Sequence, residues 1–275
     1  MKYPKISVIT AVRNGEKTLQ KAIDSLRAQN YPNLEYIVLE DGSTDNTIDI
    51  IKKNQDLIHY FESKPDGRAT EAYIRGIEIA SGDLIQFLNA DDYYEGNVLE
   101  KVGALYCSNP GIEVISCPVK IIDSNGVILS EATGNKLDLT LERLVKTCLT
   151  NARFFSINLF RQLGSLEIRD NNGQEIISAD REFLFRLIAH KTQYSNVDNC
   201  YYVYLSHPGS KTIGNNLKNL VRTQSEHIKL ALKYLNANKF PQFRDRLQLF
   251  LFLLKSIRRL VKSSIACKMR VLFDV

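Results

Sequence analysis

Two adjacent carboxylates, Asp91 and Asp92, follow an apolar run at residues 84–88. The run is short and rich in aliphatic and aromatic residues, which is typical of a buried strand, and Asn89 stands between it and the doublet. Neighbouring carboxylates repel each other, and a divalent cation removes that repulsion. Hard cations such as Mg²⁺ bind one or two carboxylates together with substrate phosphates, so the doublet predicts a metal and phosphate site. The alternatives are a loop with two solvated acids and the acidic start of a helix.

The elements that must position this doublet alternate between strand and helix. Apolar runs bounded by turn residues predict strands at residues 6–12, 34–39, 58–62 and 84–88. Apolar residues at helical spacing predict helices that begin after residues 15 and 44 and a third helix at 68–80. This short alternation is typical of a parallel sheet with right-handed crossovers.

Polar residues recur just after the predicted strands. The carboxyl ends of parallel strands share one edge of the sheet, where open α/β sheets bind ligands, so we expect these residues to line one crevice. No glycine-rich phosphate loop of the P-loop or GxGxxG type is present. The residues are Thr10, Asn14, Asp41, Asp66, Arg68, Asn89, Asp91 and Asp92.

Three segments carry a resemblance to a known family: TAVRN at 10–14, EDGSTD at 40–45 and GDLIQFLNADD at 82–92. They resemble the nucleotide-sugar-binding half of family 2 glycosyltransferases with the GT-A fold. The resemblance implies an α/β, GT-A-like nucleotide-diphospho-sugar transferase fold, in which helices flank a mostly parallel central sheet. It implies a transferase domain over 1–212, with a nucleotide-sugar half at 1–100 and an acceptor half at 101–212. A helical C-terminal extension would occupy 213–275.

The resemblance also implies roles for the crevice residues. Asp41 and Asp66 would contact the nucleobase, while Thr10, Ala11, Arg13 and Asn14 would lie near the nucleoside or phosphate. Asn89, Ala90 and Asp91 would replace the DxD signature, and Asp91 and Asp92 would hold Mn²⁺ or Mg²⁺ on the diphosphate. Arg68 would assist at the phosphate, or be a solvated residue at a helix start. His207, after a predicted strand at 201–205, would be a third metal ligand or phosphate contact, or an ordinary turn residue.

The chain departs from the family pattern after the third strand. Glu71 takes the place of the usual acid, and Ile74 replaces an asparagine. Asn89 stands where an aspartate is also frequent. These departures leave the reaction class implied and the identity of the sugar open.

A second chemical stretch is Asp180, which precedes the helical apolar face of Phe183, Leu184 and Leu187. A carboxylate at a helix start accepts backbone N–H bonds, so Asp180 could be an N-cap without catalysis. By resemblance, the acid at this helix start is the general base that takes a proton from the acceptor hydroxyl, and the product is inverted at the anomeric carbon. Glu182 is the fallback for that base.

The remaining patterns predict a helix at 98–108, a strand at 113–117, a hairpin of strands 119–123 and 127–131, and helices at 139–149, 217–235 and 243–273. Residues 247–275 carry six basic residues against Asp274 alone and account for the whole net charge of +5. A basic amphipathic helix is typical of membrane-surface binding. The alternatives are packing on the catalytic domain and a dimer partner.

Composition bounds the class of protein. The 275 residues are 44% hydrophobic and 24% charged, as in an ordinary globular protein. The main body has no basic stripe, so no nucleic-acid partner is expected. The five scattered cysteines form no CxxC pair, which disfavours zinc and disulfides, and no apolar run approaches the length of a membrane span. A cytoplasmic location is expected, with peripheral contact to the inner face of the cell membrane through the C-terminal helix.

These observations favour an inverting, metal-dependent glycosyltransferase. It would move a hexosyl or N-acetylhexosaminyl group from a nucleotide sugar, with a UDP-sugar as the expected donor, to a hydroxyl of a glycan or lipid-linked acceptor. By analogy with the family, the setting is the assembly of bacterial cell-surface polysaccharide. The alternative is a non-catalytic nucleotide-sugar-binding module. A nucleotidyltransferase is disfavoured because the first loop lacks glycine-rich, basic character.

Overall fold

The computed structural model describes residues 3–65, 69–144, 146, 148–169, 173–174, 176–207, 217–237, 239–240 and 242–273. Eleven strands are described there: β1 Ile6–Val12, β2 Leu34–Glu40, β3 Tyr60–Ser63, β4 Leu84–Phe87, β5 Tyr93–Glu95, β6 Val114–Ser116, β7 Val119–Ile122, β8 Ile128–Ala132, β9 Arg153–Ser156, β10 Tyr194–Asn196 and β11 Tyr201–Leu205. The α-helices in the same ranges are α1 Leu19–Arg27, α2 Thr47–Lys53, α3 Ala69–Ile79, α4 Val98–Ser108, α5 Leu141–Leu144, α6 Ile157–Leu163, α7 Ala179–Ala189, α8 Leu217–Asn236 and α9 Phe243–Phe273.

The larger sheet has seven strands in the order β10-β6-β9-β4-β1-β2-β3. β1 lies parallel to both β2 and β4, with Val12 opposite Glu40 and Ile9 opposite Phe87. The carboxyl ends of these three strands therefore share one edge, which confirms the predicted mostly parallel sheet. The exception is β9, which pairs antiparallel with both β4 and β6.

The smaller sheet has four strands in the order β5-β11-β7-β8. The predicted hairpin at 119–123 and 127–131 is present as the antiparallel pair of β7 and β8. β11 is antiparallel to β5, the strand that directly follows the acidic doublet, and parallel to β7. This pairing ties the chain near residue 205 to the chain just after residue 92.

Amphipathic helices cover the larger sheet. The residues of α1 that recur at helical spacing, Leu19, Ala22, Ile23 and Leu26, are the buried ones, as the sequence predicts. α3 contacts β1 and β2, and a glycine makes the approach possible. A Cβ added at Gly76 would lie 2.5 Å from Cγ2 of Ile9, a distance that real Cβ atoms do not show.

Two predicted elements differ from the structure. β3 begins at Tyr60 rather than at residue 58, because the backbone N–H groups of Leu57 and Ile58 donate to the carbonyl of Asn54 and close the turn after α2. In the range 139–149, where a helix is predicted, the described helix is α5 at Leu141–Leu144, and residues 139–140 and 148–149 are not helical. Residues 145 and 147 lie outside the described residues. Leu139, Leu141 and Leu144 are buried, so apolar spacing predicted the buried face there.

The chain divides into two compact units, Met1–Asp138 with Leu149–Ser165 and Thr192–His207, and Leu139–Cys148 with Leu166–Lys191 and Pro208–Val275. The first unit contains both sheets. The second is helical, and its rings of Phe185, Tyr234 and Phe252 pack with centroid separations of 5.2 and 6.0 Å. The C-terminal helices lie in the second unit together with α5 and α7. No helix in the described ranges is both long enough and apolar enough to cross a bilayer.

Candidate active site

The two carboxylates of the doublet lie in different environments. Asp92 is 1% exposed. Its Oδ1 accepts a hydrogen bond from the backbone N–H of Leu205 at 3.0 Å, and its Oδ2 accepts from Asn89 Nδ2 at 2.8 Å. The hydroxyl of Tyr202, itself buried, also donates to Oδ2. Asp92 is thus held by β11 and by the turn after β4.

Burial, and then the negative charge of Asp91, raise the pKa of Asp92 well above its usual range. The hydrogen bonds from Tyr202, Leu205 and Asn89 act in the opposite direction but do not cancel the shift. A positive charge beside Asp91 would reduce the repulsion between the two groups. The electrostatics of the doublet therefore favour a cation on its outer member.

That outer member is Asp91, which is 31% exposed and faces an imidazole. His207 Nε2 lies 2.8 Å from Asp91 Oδ2, although 116 residues separate them in sequence. β11 accounts for the meeting, because its last residue binds Asp92 and the chain then continues to His207. The sequence predicted Asp91, Asp92 and His207 as metal ligands, and the structure brings Asp91 and His207 together. Asp92 is instead buried, and its oxygens accept hydrogen bonds from Tyr202, Leu205 and Asn89.

Asn89 and Ala90 complete the turn after β4. Asn89 accepts a hydrogen bond from the Tyr73 hydroxyl at 2.8 Å and donates to Asp92, so its amide links α3 to the doublet. Ala90 is half-buried and packs against the hydrophobic core. The backbone of this turn is therefore fixed from both sides.

Thr10, the fifth of the seven residues of β1, is fully buried. Its hydroxyl donates to the carbonyl of Leu88 at 2.8 Å and accepts from the Tyr36 hydroxyl at 3.2 Å. The side chain thus fastens β1 to the segment that carries the doublet. Ala11, next to it, is half-buried.

The loops after β1 and β2 are hydrogen-bonded to each other. Asn14 has φ +51°, a left-handed conformation that asparagine tolerates better than most residues. Its Oδ1 accepts from the Thr44 N–H at 2.9 Å, and its own N–H donates to Ser43 Oγ at 2.8 Å. Arg13 is exposed, and its Nη1 lies 3.8 Å from Oδ2 of the mostly buried Asp41. The structure therefore brings Arg13, Asn14 and Asp41 together, while Asp66 and Arg68 lie outside the described residues.

Two residues that support the site, Glu40 and Tyr202, were not predicted from the sequence. Glu40 is 1% exposed and accepts hydrogen bonds from the Ser43 N–H and the Ser63 hydroxyl. Burial alone raises the pKa of Glu40, but these hydrogen bonds outweigh burial and lower it. A carboxylate at the end of a buried strand was a usable signal for Glu40. Tyr202 gave no signal, because a strand tyrosine is ordinarily a core residue.

In the second unit, Asp180 is the second residue of α7 and is exposed. Ser178 occupies the N-cap position, so the alternative that Asp180 is the N-cap is not what the structure has. Its Oδ2 accepts from Cys148 Sγ at 3.3 Å, and its Oδ1 accepts from the Arg181 N–H at 2.7 Å. Each oxygen keeps a lone pair with which to accept a further proton.

Glu182, the fallback base, has a different place. It is 5% exposed, and its carboxylate binds Arg186 Nε at 2.7 Å and Lys233 Nζ at 3.0 Å. The Tyr234 hydroxyl donates to the same group at 3.4 Å. Glu182 is therefore an anchor between α7 and α8, and its buried oxygens are already bound by three donors of the protein.

The donor set at Asp91 fits a divalent cation. A carboxylate oxygen and an imidazole nitrogen already converge, and both are accessible to a third of their surface. Among the described residues, no group of three or more His, Cys, Asp or Glu side chains could hold a metal by itself. Mg²⁺ and related cations keep waters and phosphate oxygens as further ligands, so two protein ligands suffice.

A carboxylate doublet with Asp92 buried and Asp91 accessible, at the carboxyl edge of a mostly parallel sheet, defines an α/β protein with a polar site at that edge, and comparison with known sequences identifies its family. The sequence profile of the family described as "Glycosyl transferase family 2" matches residues 7–164, more than half of the chain. The chain belongs to this family, as the three sequence segments predicted.

Curated relatives carry the same class name. An uncharacterized glycosyltransferase of Rickettsia bellii is 35% identical over 153 residues, which cover 52% of this chain and 22% of that protein. One of Mycobacterium tuberculosis is 29% identical over 189 residues, which cover 66% of this chain and 68% of that protein. The chain thus spans between about a fifth and about two thirds of the length of these relatives. The names of these relatives agree with the name of the matched family.

Solved structures confirm the GT-A-like fold. TarS 1–349 of S. aureus in complex with UDP-GlcNAc has a TM-score of 0.69 and 18% identity, covering 93% of this chain and 72% of that one. The mannosyltransferase PcManGT of Pyrobaculum calidifontis in complex with GDP-Man and Mn²⁺ has a TM-score of 0.65 and 16% identity, covering 99% and 76%. At these identities the likeness concerns the fold alone.

Proposed function

We propose that the protein is an inverting, metal-dependent glycosyltransferase that moves a sugar from a nucleotide-sugar donor to a hydroxyl of a glycan or lipid-linked acceptor. The observation that carries the proposal is the pair formed by Asp91 and His207, 2.8 Å apart and accessible, above a buried and fully hydrogen-bonded Asp92. A pair of this kind has no structural need to be accessible, whereas a metal and diphosphate site requires it.

Structural neighbours support the choice of donor. TarS was solved with UDP and with UDP-GlcNAc, and PcManGT with GDP-Man and Mn²⁺. We take a UDP-sugar as the first donor to test, with Mn²⁺ or Mg²⁺ as the cofactor. For the acceptor, the family implies a class of molecule, namely glycans and lipid-linked glycans.

Asp91 and His207 would hold the cation. Asp92 would keep the neighbouring Asp91 in position, because Asp92 is hydrogen-bonded to β11. When bound, the cation would neutralise charge that develops on the leaving diphosphate. Arg13 and Asp41 would contact the nucleoside, and the bonds of Asn14 would keep the two loops in register. Asp66 and Arg68 keep their proposed base and phosphate roles.

Asp180 would act as the general base. One of its carboxylate oxygens would accept the proton of the acceptor hydroxyl, and that hydroxyl oxygen would form a bond to the anomeric carbon. The bond from this carbon to the diphosphate oxygen breaks, and the electron pair leaves with the nucleoside diphosphate. Attack opposite the leaving group inverts the configuration.

The metal site is tested by thermal unfolding with nucleoside diphosphates and sugar nucleotides, with and without Mn²⁺. A ligand at 100 times its Kd stabilises the folded state by about 2.7 kcal/mol, which is a shift of several degrees. We expect Asp91→Asn and His207→Gln to abolish the part of the shift that depends on Mn²⁺. The matched controls Asp198→Asn and His190→Gln change exposed residues elsewhere and should keep it. If Asp91→Asn retains the full shift, the metal assignment is wrong.

The base is tested with the donor that the screen identifies. Asp180→Asn should lower transfer to the acceptor by about 10²–10⁴-fold, the usual contribution of a general base. Donor binding with Mn²⁺ should be unchanged, and Glu167→Gln, which alters a half-exposed carboxylate of the same unit, should leave transfer intact. A wild-type protein that binds a donor with Mn²⁺ but neither transfers nor hydrolyses any sugar nucleotide would instead be a binding module.

A further inference from the structure

Over residues 243–264, the part of α9 whose side chains are described, the helix has two apolar faces, and one of these faces packs against the protein. Leu249 and Phe252 are buried, as are Ser256 and Ser263 on the same face. The opposite face is exposed, with residue exposures between 41% and 81%. It comprises Phe243, Leu247, Phe250, Leu251, Leu254, Ile257 and Val261. We call these seven residues the outer row.

The outer row is long and continuous. Six of its members follow each other at alternating spacings of four and three residues, so they lie one above another along the helix. At about 1.5 Å per residue, the stretch from Phe243 to Val261 is about 27 Å long. An exposed apolar patch of that extent marks an interaction surface.

Basic side chains line one flank of the outer row. Lys255, Arg258, Arg259 and Lys262 are exposed and form no ion pair with any described residue. Between residues 243 and 264 the helix carries six basic residues and a single acid, Asp245. The surface therefore offers apolar contact and positive charge side by side.

The cations on this part of the second unit repel one another. Burial lowers the pKa of Lys255, and the positive charges of Arg259, Arg181 and Lys146 lower it further. Such a group of like charges is relieved by an anionic surface. An anionic partner is thus favoured over a neutral one.

A second copy of α9 is disfavoured by the same charges. Helices that pair through a row of this spacing are held in register by opposite charges at the positions beside the row. Here the positions beside the six evenly spaced members carry Arg244, Arg246, Leu251, Leu253, Arg258 and Leu260, with no acid among them. Arg244 pairs with Glu142 of α5. A second copy of α9 would add cations at these flanking positions and no acid to pair with them there.

We infer that the outer row docks on an anionic lipid surface. α9 would lie in the plane of the interface, with Phe243, Phe250 and Leu254 among the acyl chains and Arg258 and Lys262 at the headgroups. The buried face of α9 would keep its contacts with α8 and α7 while the outer row is bound to the lipid surface. The inference is independent of the proposed sugar transfer, because it concerns neither the doublet nor Asp180.

Flotation of the full chain with vesicles tests the inference. Vesicles of phosphatidylcholine alone are compared with vesicles that contain about one third phosphatidylglycerol, a negatively charged lipid. We expect the protein to float with the anionic vesicles only, and added salt to release it, because salt screens the surface charge.

Two double variants separate charge from apolar contact. Arg258→Gln with Lys262→Gln should lower partitioning about 30-fold, since each basic residue near an anionic surface contributes about five-fold. Phe250→Ser with Leu254→Ser should lower it at least about 10-fold. The matched control Lys52→Gln with Lys53→Gln removes the same charge from exposed positions on α2 and should change nothing. Thermal unfolding checks that each variant is folded.

Three results would overturn the inference. Equal flotation with neutral vesicles would contradict the role of charge, and flotation with neither kind would contradict lipid docking altogether. A dimer in size-exclusion chromatography that Phe250→Ser with Leu254→Ser dissociates, without vesicle binding, would assign the outer row to a second copy of the chain.

Discussion

The hydrogen bond from Tyr202 to Asp92 gives the sharpest test of how the doublet is supported. Asp92 is 1% exposed, so water cannot replace a lost donor. A buried hydrogen bond to a charged group contributes about 1.5–3 kcal/mol, and one to a neutral group about 0.5–1.5 kcal/mol. Tyr202→Phe removes the hydroxyl and keeps the ring. We expect it to lower the free energy of unfolding by about 2 kcal/mol.

The neighbouring ring supplies a matched control. Tyr94 packs edge-on against Tyr202 with centroids 6.1 Å apart, and its hydroxyl donates to the neutral Gln86 Oε1. Tyr94→Phe therefore removes a buried hydroxyl from the same ring pair, and this hydroxyl donates to a neutral acceptor. The Tyr202 hydroxyl differs in donating to a carboxylate and in accepting from the Asn89 N–H at 3.4 Å. We expect it to cost about 1 kcal/mol.

Thermal unfolding at mildly alkaline pH, where Asp92 is ionised, measures both variants. One kcal/mol shifts the midpoint of a protein of this size by about 2–4 °C, so Tyr202→Phe should lower it by about 4–8 °C and Tyr94→Phe by about half as much. The Mn²⁺-dependent shift with a nucleoside diphosphate should also shrink in Tyr202→Phe alone. Equal midpoints for the two variants would refute the view that Tyr202 holds a charged Asp92.

Two further predictions concern residues at the amino ends of β1, β2 and β4 in the larger sheet. Burial raises the pKa of Glu35, but hydrogen bonds from Lys5 and Ser81 outweigh burial and hold it at about 2 against an ordinary 4.5. A lowered carboxyl pKa stabilises the fold above the ordinary pKa, and this stability is lost as the pH falls toward the folded value. Urea unfolding should therefore show that Glu35→Gln lowers the free energy of unfolding by about 2 kcal/mol at neutral pH, a value that allows for solvent screening at the half-exposed Lys5. This loss should disappear near pH 2, and a loss that is independent of pH would contradict the prediction. A Cβ at Gly82 would lie 2.8 Å from the carbonyl oxygen of Lys5. Gly82→Ala should therefore lower the free energy of unfolding by about 1–3 kcal/mol in the same assay. Gly111 has open space around it, so Gly111→Ala should leave the free energy of unfolding unchanged. Equal effects of the two alanines would show that the backbone moves aside.

Local pattern predicted most of the elements. β1, α4, β11 and α9 have the bounds that apolar periodicity indicated, because each has one clear buried face and a clear turn at its end. The mostly parallel sheet followed from the short alternation of strand and helix. The antiparallel insertion of β9 did not, since nothing in four residues with a β-strand composition specifies which edge they join.

The sequence predicted which residues belong to the site but not how they are arranged. Strand ends identified Asp91, Asp92 and Asp41, but adjacency gave no sign that one aspartate of the doublet is buried and the other accessible. That difference is set by Tyr202 and Leu205, more than 100 residues away. Glu182 could not be told from Asp180 by spacing, because its partner Lys233 belongs to another helix.

The place of β9 in the sheet has a consequence for synthesis of the chain. β4 meets its neighbour β1 soon after it leaves the ribosome, but its other edge waits for β9, and Gln86 waits for the carbonyl of Asn151, 65 residues later. At about 5–20 residues per second, this edge stays open for roughly 3–13 s in each round of translation. During that interval its unpaired N–H and C=O groups can pair with another nascent chain. Slow or crowded translation is therefore expected to lower the yield of native protein, and factors that shield nascent strands are expected to restore it.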